Sequence, residues 1–407
     1  MTSATHTAHS DHAATLRLLG LAGFSAMAAL RICDAMLPSL VHSFQVSTGD
    51  AAWVVSSFAL AYGVLQLFYG PLGDAMGKLQ VITWACLASA LICLLTALSP
   101  NFTTLVIARA LMGASAAAVI PLSLAWVGDQ VAYDLRQETL ARLLGSIVLG
   151  MMAGQWFGGF ASEMWGWQSA FLALGLGFLI AAISLLRRRA SATSAASAVP
   201  LSARASIART TALFQIPRVR WVLGFALIEG ALAYGWLPFA PAWLVSQFGF
   251  SISTAAAIMV LYGVGGLLYS QFARRWLTLL GERGLALGGG LLLAASVIGI
   301  AWSPISAFAI GGCGLAGLGF YMLHSTLQTQ ATQMAPEARG TGMTLFACSL
   351  FLGQALGVLV VGLFVDQGGL LTSFSAIAAL LCVTGFAVSR GVQGRAPAAT
   401  PPSHNVS

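Results

Sequence analysis

Apolar residues fill this chain in long unbroken runs separated by short polar breaks, rather than in the alternation of a half-exposed strand. A helix crosses a bilayer in ~20 residues at a rise of 1.5 Å each. Runs of that length recur at roughly 16–41, 51–70, 79–98, 103–127, 142–163, 168–186, 221–246, 254–273, 285–302, 306–331, 341–365 and 370–389. The pattern predicts an all-α membrane protein of 12 transmembrane helices. Ser99-Pro100-Asn101, Ser303-Pro304 and Asp366-Gln367-Gly368-Gly369 are turn-like breaks between runs. Between the sixth and seventh runs, residues 187–220 are rich in Ala and Ser and hold seven arginines, too polar to span. The predicted organisation is a tail over 1–15, a six-helix half over 16–187, a linker over 188–220, a second six-helix half over 221–390 and a tail over 391–407.

The two halves carry the marks of a duplication. Leu37-Pro38 recurs as Leu237-Pro238 and Tyr62-Gly63-Val64 as Tyr262-Gly263-Val264, both 200 residues on. Gly154-Gln155-x-x-Gly158 recurs as Gly353-Gln354-x-x-Gly357, 199 residues on. Three matches in order at nearly one offset predict parallel pseudo-symmetric repeats.

Composition agrees with the membrane reading: 58% of residues are hydrophobic and only 8% charged, against about 25% charged in soluble domains. The net charge of +7 does not point to nucleic acid, because of where the charges fall. With a cytoplasmic N-terminus, 17 of the 19 basic residues lie in inner loops or tails and the outer loops hold none. That predicts an inner-membrane protein with both termini and the linker cytoplasmic, its basic rim facing anionic lipid headgroups. No cleaved signal is expected at the polar N-terminus, where His6, His9 and His12 read as part of a disordered tail rather than a metal site. Six cysteines inside apolar runs read as small buried hydrophobes. Without a phosphate-binding loop, a metal cluster or a nucleophile with its base, the chain is expected to be neither an ATPase nor another enzyme, and to need no cofactor beyond a proton gradient.

One polar break is more specific than the rest. In Gly70-Pro71-Leu72-Gly73-Asp74-Ala75-Met76-Gly77-Lys78, Gly70, Leu72, Asp74, Gly77 and Lys78 match G-x-L-x-D-x-x-G-R/K, and here the sequence resembles the major facilitator superfamily. The family usually has arginine where this chain has Ala75 and a second basic residue where it has Leu79. Arg109-x-x-x-Gly113 resembles a second motif, in the fourth helix of proton-coupled members. Gly150-x-x-x-Gly154-Gln155-Trp156-Phe157-Gly158-Gly159 resembles the helix-5 motif of the drug–proton antiporter branch, with Gln155 in place of its proline. The resemblance implies alternating access around a midplane site between the halves. It gives Gly70, Asp74, Gly77 and Lys78 the role of a conformational latch, and makes Gly150, Gly154, Gln155, Gly158 and Gly159 a helix-5 gate that helps seal one side of the cavity.

Charges within spans cost about 2.5–3.5 kcal/mol each on the insertion scale, which singles out Arg31, Asp34, Arg109 and Glu229, with His324 as a further titratable group. Arg31 and Asp34 share a helix face, and Asp34 and Arg109 are expected at similar depth, so that a contact between them is predicted. Asp34, Arg109 and Glu229 are the proton-coupling candidates. Ion pairing that only fixes helix packing, and a packed protonated glutamate, are the alternative readings. Tyr321, His324, Ser325 and Gln328 form a polar stripe expected to face the cavity. Arg31, Tyr62, Gln66, Tyr234 and Trp236 complete the predicted walls, although the aromatic residues read equally well as packing. The function expected is proton-coupled efflux of a small organic compound by a monomer. Proton-coupled uptake is the alternative, and a transport-inactive membrane sensor the reading from another class.

Overall fold

The computed structural model describes residues 2–189, 210–367 and 369–392, the first 13 residues without their side chains. The side chains of His6, His9 and His12, and most of the linker and C-terminal tail, therefore lie outside what is described. The chain forms a bundle of 12 helices. α1 is in two pieces, Thr2–Arg31 and Leu37–Phe44. α2 covers Thr48–Met76, α3 Lys78–Ala97, α4 Phe102–Gln130, α5 Tyr133–Met164 and α6 Trp167–Arg189. α7 covers Pro217–Phe248, and α8 and α9 are the arms 252–280 and 282–302 of one run bent at Gly281. α10 covers Ser306–Gln333, α11 Arg339–Val365 and α12 Leu370–Gly391. Among the described residues, ten stretches are long and apolar enough to cross a membrane. Dividing the bent run and adding α1 accounts for 12.

The repeated motifs explain how each half packs. Added side-chain carbons at Gly150, Gly154 and Gly158 of α5 would strike the α1 backbone at Phe24, Ala28 and Ile32. At Gly353 and Gly357 of α11 they would strike the α7 backbone at Leu227 and Ala231. The motif is a small-residue seam that lets two helices touch backbone to backbone. The expected helix-5 seal is thus divided: these three glycines pack inside the first half, and only Gly159 crosses to the second, against Ala256 of α8.

The repeated Leu-Pro marks a break in each half. α1 loses its helical run at residues 32–36, just before Pro38, and α7 passes through a single 3-10 turn at Leu237–Phe239 that contains Pro238. Proline supplies no amide hydrogen and disfavours helix in the residue before it. The first break falls at the charged pair, since Asp34 lies within it and Arg31 immediately before it.

Two differences from the sequence pattern concern boundaries. The stretch from Gly70 is not a turn: α2 continues through Pro71 to Met76, and only Gly77, at φ 92°, breaks the helix. The runs at 254–273 and 285–302 extend as helix into the arginine-bearing connection and are interrupted only at Gly281, at φ 64°.

The halves meet along α2–α11 and α5–α8, and not evenly. At the end of the bundle away from Lys78 and Arg339, Asp366 of α11 accepts hydrogen bonds from Ser47 Oγ (2.6 Å) and the Gly49 amide (2.8 Å). There too, Glu163 of α5 accepts one from the Ser253 amide at the start of α8 (2.7 Å). Midway, Gly63 meets Phe351 and Gly263 meets Met152. At the opposite, basic end, an added carbon at Gly70, Gly145 or Gly340 would meet nothing within 4 Å. The halves are clasped by these hydrogen bonds at the far end.

Candidate functional site

A small cavity of about 30 Å³ lies between the halves. Arg31 of α1, Met151, Met152 and Gln155 of α5, Met259 and Tyr262 of α8 and Tyr321 of α10 form its main walls. Arg31 donates to Asp34 (3.2 Å), both side chains nearly or wholly buried. Its guanidinium lies 4.4 Å from the centroid of the Tyr234 ring, so α7 of the second half supplies an aromatic floor to the cation. The other carboxylate oxygen of Asp34, Oδ1, is buried without a hydrogen-bond partner.

The predicted Asp34–Arg109 contact does not form. Arg109 is fully buried and donates from Nε to the Val54 carbonyl (3.1 Å) and from Nη1 to the Ala29 carbonyl (3.0 Å), with its guanidinium 4.4 Å from the Phe58 ring centroid. Asp34 is held instead by the cation one helical turn before it, and Arg109 ties α4 to the backbones of α1 and α2. Among the described residues no carboxylate lies within ion-pairing distance of Arg109. Depth in the bilayer was legible from the sequence; rotation about the helix axis was not.

Glu229 finds its partner in His324 (3.1 Å) while its Oε1 is buried without one. The His324 ring stacks on Phe320 at 5.1 Å, Phe320 packs edge-on against Tyr234 at 5.1 Å, and Tyr234 underlies Arg31. The Glu229–His324 pair and the Arg31–Asp34 pair are therefore separated by two aromatic rings. Along α10, Tyr321, His324 and Ser325 are half-buried and Gln328 is exposed, so the predicted stripe opens toward the basic end.

The remaining predicted wall residues are packing groups. Tyr62 packs on Phe351 across the α2–α11 seam (4.6 Å), and Gln66 is buried, donating to the Gly63 carbonyl of its own helix. Trp236 is fully buried between Tyr262 and Phe374. Gln155, predicted as part of a helix-5 gate, is a cavity wall instead. Tyr262 and the three methionines were missed as cavity residues; the repeat of Tyr62-Gly63 at Tyr262-Gly263 was the one available signal.

At the basic end Lys78 bridges Asp74 (3.1 Å) and Asp129 of α4 (2.6 Å). Asp74 is exposed and does not meet Gly340–Gly342 at the start of α11. Asp129, which the motif did not include, is the cross-helix partner.

Comparison with known proteins follows the fold. The chain is 26% identical over 360 residues to the uncharacterized MFS-type transporter YceJ of Bacillus subtilis (strain 168), covering 86% of this chain and 89% of that protein. It is 26% identical over 179 residues to the probable multidrug resistance protein EmrY of Escherichia coli (strain K12), covering 43% of this chain and 35% of that one. The crystal structure of a mutant of the nucleoside transporter NupG superposes with a TM-score of 0.77 at 14% identity, over 93% of this chain and 99% of that one. A model of the Major Facilitator Superfamily matches residues 19–358 and 233–405. A duplicated 12-helix bundle, a buried charged cavity between its halves and a family match over most of its length together place this chain in the Major Facilitator Superfamily, as a multi-pass membrane transporter.

Proposed function

We propose that the protein is a proton-coupled secondary transporter that exports a small organic compound by alternating access, in exchange for protons. The observation that carries proton coupling is the Arg31–Asp34 pair: a carboxylate sealed from water, held through one oxygen, beside the cavity. Breaking a buried pair by removing one partner typically costs about 3–5 kcal/mol, because the other charge is left uncompensated. Protonating Asp34 releases Arg31 by neutralising its partner, so the proton state of the site and its hold on a ligand are linked. Glu229 and His324, in the other half, offer a second proton site out of contact with the Arg31–Asp34 pair.

Export is supported by the likeness to EmrY, a probable multidrug resistance protein, and by the resemblance of the α5 motif to the antiporter branch. The placement of basic residues supports insertion in the inner membrane with both termini and the linker cytoplasmic. The basic end is then the cytoplasmic end, and the hydrogen bonds of Asp366 and Glu163 to the opposite half lie on the side away from it. The protein works as a monomer in this reading, surrounded by lipid, and needs no cofactor besides the proton gradient.

A second reading, uptake with a proton, is favoured by one observation. A proton on Asp34 makes Arg31 more available, and a proton and an anion then bind cooperatively and cross together. Reconstituted vesicles loaded with a pH indicator separate the two. Substrate moving out with protons moving in supports exchange, movement of both in the same direction supports co-transport, and substrate flux without proton movement refutes coupling.

A further inference from the structure

The sequence alone places two arginines and two carboxylates within the spans, so that the charge of the substrate is open. The structure breaks that tie. Asp34 and Glu229 are both fully buried and neither forms a wall of the cavity, whereas Arg31 does. Gln155 and Tyr262 also line it, each more than nine-tenths buried, and the Gln155 Nε2 and the Tyr262 hydroxyl have no hydrogen-bond partner among the described residues. An amide nitrogen and a guanidinium only donate, and a phenol donates readily. Buried polar groups without partners are costly, so the Gln155 and Tyr262 donors, beside the Arg31 cation, call for a ligand rich in acceptors. Three methionines supply an apolar, deformable wall beside them.

We infer that the transported compound is an organic anion, a carboxylate on an apolar body, with its oxygens on Arg31, Gln155 and Tyr262 and its body against Met151, Met152 and Met259. A cation would be repelled by Arg31, the charged group on the wall. The inference rests on the transporter reading above. It also sets where coupling must occur: a carboxylate competes with Asp34 for Arg31, so protonating Asp34 strengthens its binding. Proton-coupled co-transport uses that linkage directly.

The probes are 4-phenylbutyrate, 4-phenylbutylammonium and 4-phenylbutanol, which share one body and differ in the head group. Each is titrated into the purified full-length protein while thermal unfolding is followed, since a ligand that binds the folded state raises its midpoint. The carboxylate is expected to give the only saturable rise. Asp34→Asn keeps Arg31 and removes its competitor, and is expected to lower the half-saturating concentration by about ten- to a hundredfold, the range for a charge-assisted hydrogen bond. Gln155→Leu is expected to raise it roughly two- to tenfold. Arg31→Gln alone strands a buried carboxylate and threatens folding, so the double variant Arg31→Gln/Asp34→Asn, which removes both charges, is used to abolish the response. A tighter response to the ammonium probe, no response to any of the three, or weaker carboxylate binding in Asp34→Asn overturns the inference. Proton-linked flux of a cation in vesicles leaves the transporter reading intact while overturning the anion. Saturable carboxylate binding with no flux overturns transport and leaves the binding site standing.

Discussion

The far-end clasps must open if the cavity is to face the other side of the membrane, and their strength is calculable. Asp366 accepts two hydrogen bonds from the start of α2, and Glu163 accepts one from the start of α8. Each places a negative charge on a helix N-terminus, where the backbone is electropositive. A charge-assisted hydrogen bond is worth about 1.5–3 kcal/mol, but both carboxylates are exposed, which reduces each clasp to about 1 kcal/mol. The two lie on different helix pairs and should add, to about 2 kcal/mol in favour of the state closed at the far end. Removing both therefore shifts the equilibrium roughly thirtyfold toward opening there. The perturbation is Asp366→Ala with Glu163→Ala. The assay uses Met259→Cys, in the cavity wall, on a background in which the six native cysteines are replaced. A membrane-impermeant maleimide is supplied from the far side. Labelling is expected to accelerate by about fivefold for each single variant and roughly thirtyfold for the double one. An unchanged rate in the double variant, with the protein folded and inserted, would refute the clasp argument.

Three further outcomes follow from the same geometry. Asp34→Asn should abolish proton-driven flux at normal expression, as measured by substrate accumulation against a pH gradient in vesicles; wild-type accumulation would transfer the coupling role to Glu229. Gly158→Val should cost more than the about 1–3 kcal/mol usual for overpacking, because the added carbon strikes the Ile32 backbone, and membrane yield and thermal midpoint should both collapse; Gly145→Ala, which meets nothing within 4 Å, is the control. Asp74→Asn should leave the present conformation intact, since Lys78 keeps Asp129, and should slow the cycle while raising labelling of the cavity from the basic end. A large loss of ligand affinity with unaltered labelling would show instead that Asp74 belongs to the binding site.

Local hydropathy and repetition account for everything that was legible before the fold was known. Apolar runs near bilayer length specify 12 helices whatever their neighbours, because a backbone in hydrocarbon must satisfy its own hydrogen bonds. The recurrence of Leu37-Pro38 and of the α5 glycines was enough to foresee two similar halves, and the Gly70–Lys78 motif was enough to suggest the family. Charged residues at mid-span had to be buried and partnered, and all four are buried.

Which groups meet was settled by packing alone. Arg109 and Asp34 share a depth yet do not pair, because helix rotation and the break at residues 32–36 direct Asp34 to Arg31 and bring the Ala29 carbonyl to Arg109. Gln155 moved from a supposed gate to a cavity wall because its neighbouring glycines commit α5 to α1 on another side of the helix. The Glu229–His324 pair joins residues 95 positions apart. Hydropathy reports how deep a residue lies and is nearly silent on its azimuth. Azimuth is set by the packing of one helix against the next, and it decides whether a buried charge is a strut, a proton site or the wall a substrate touches.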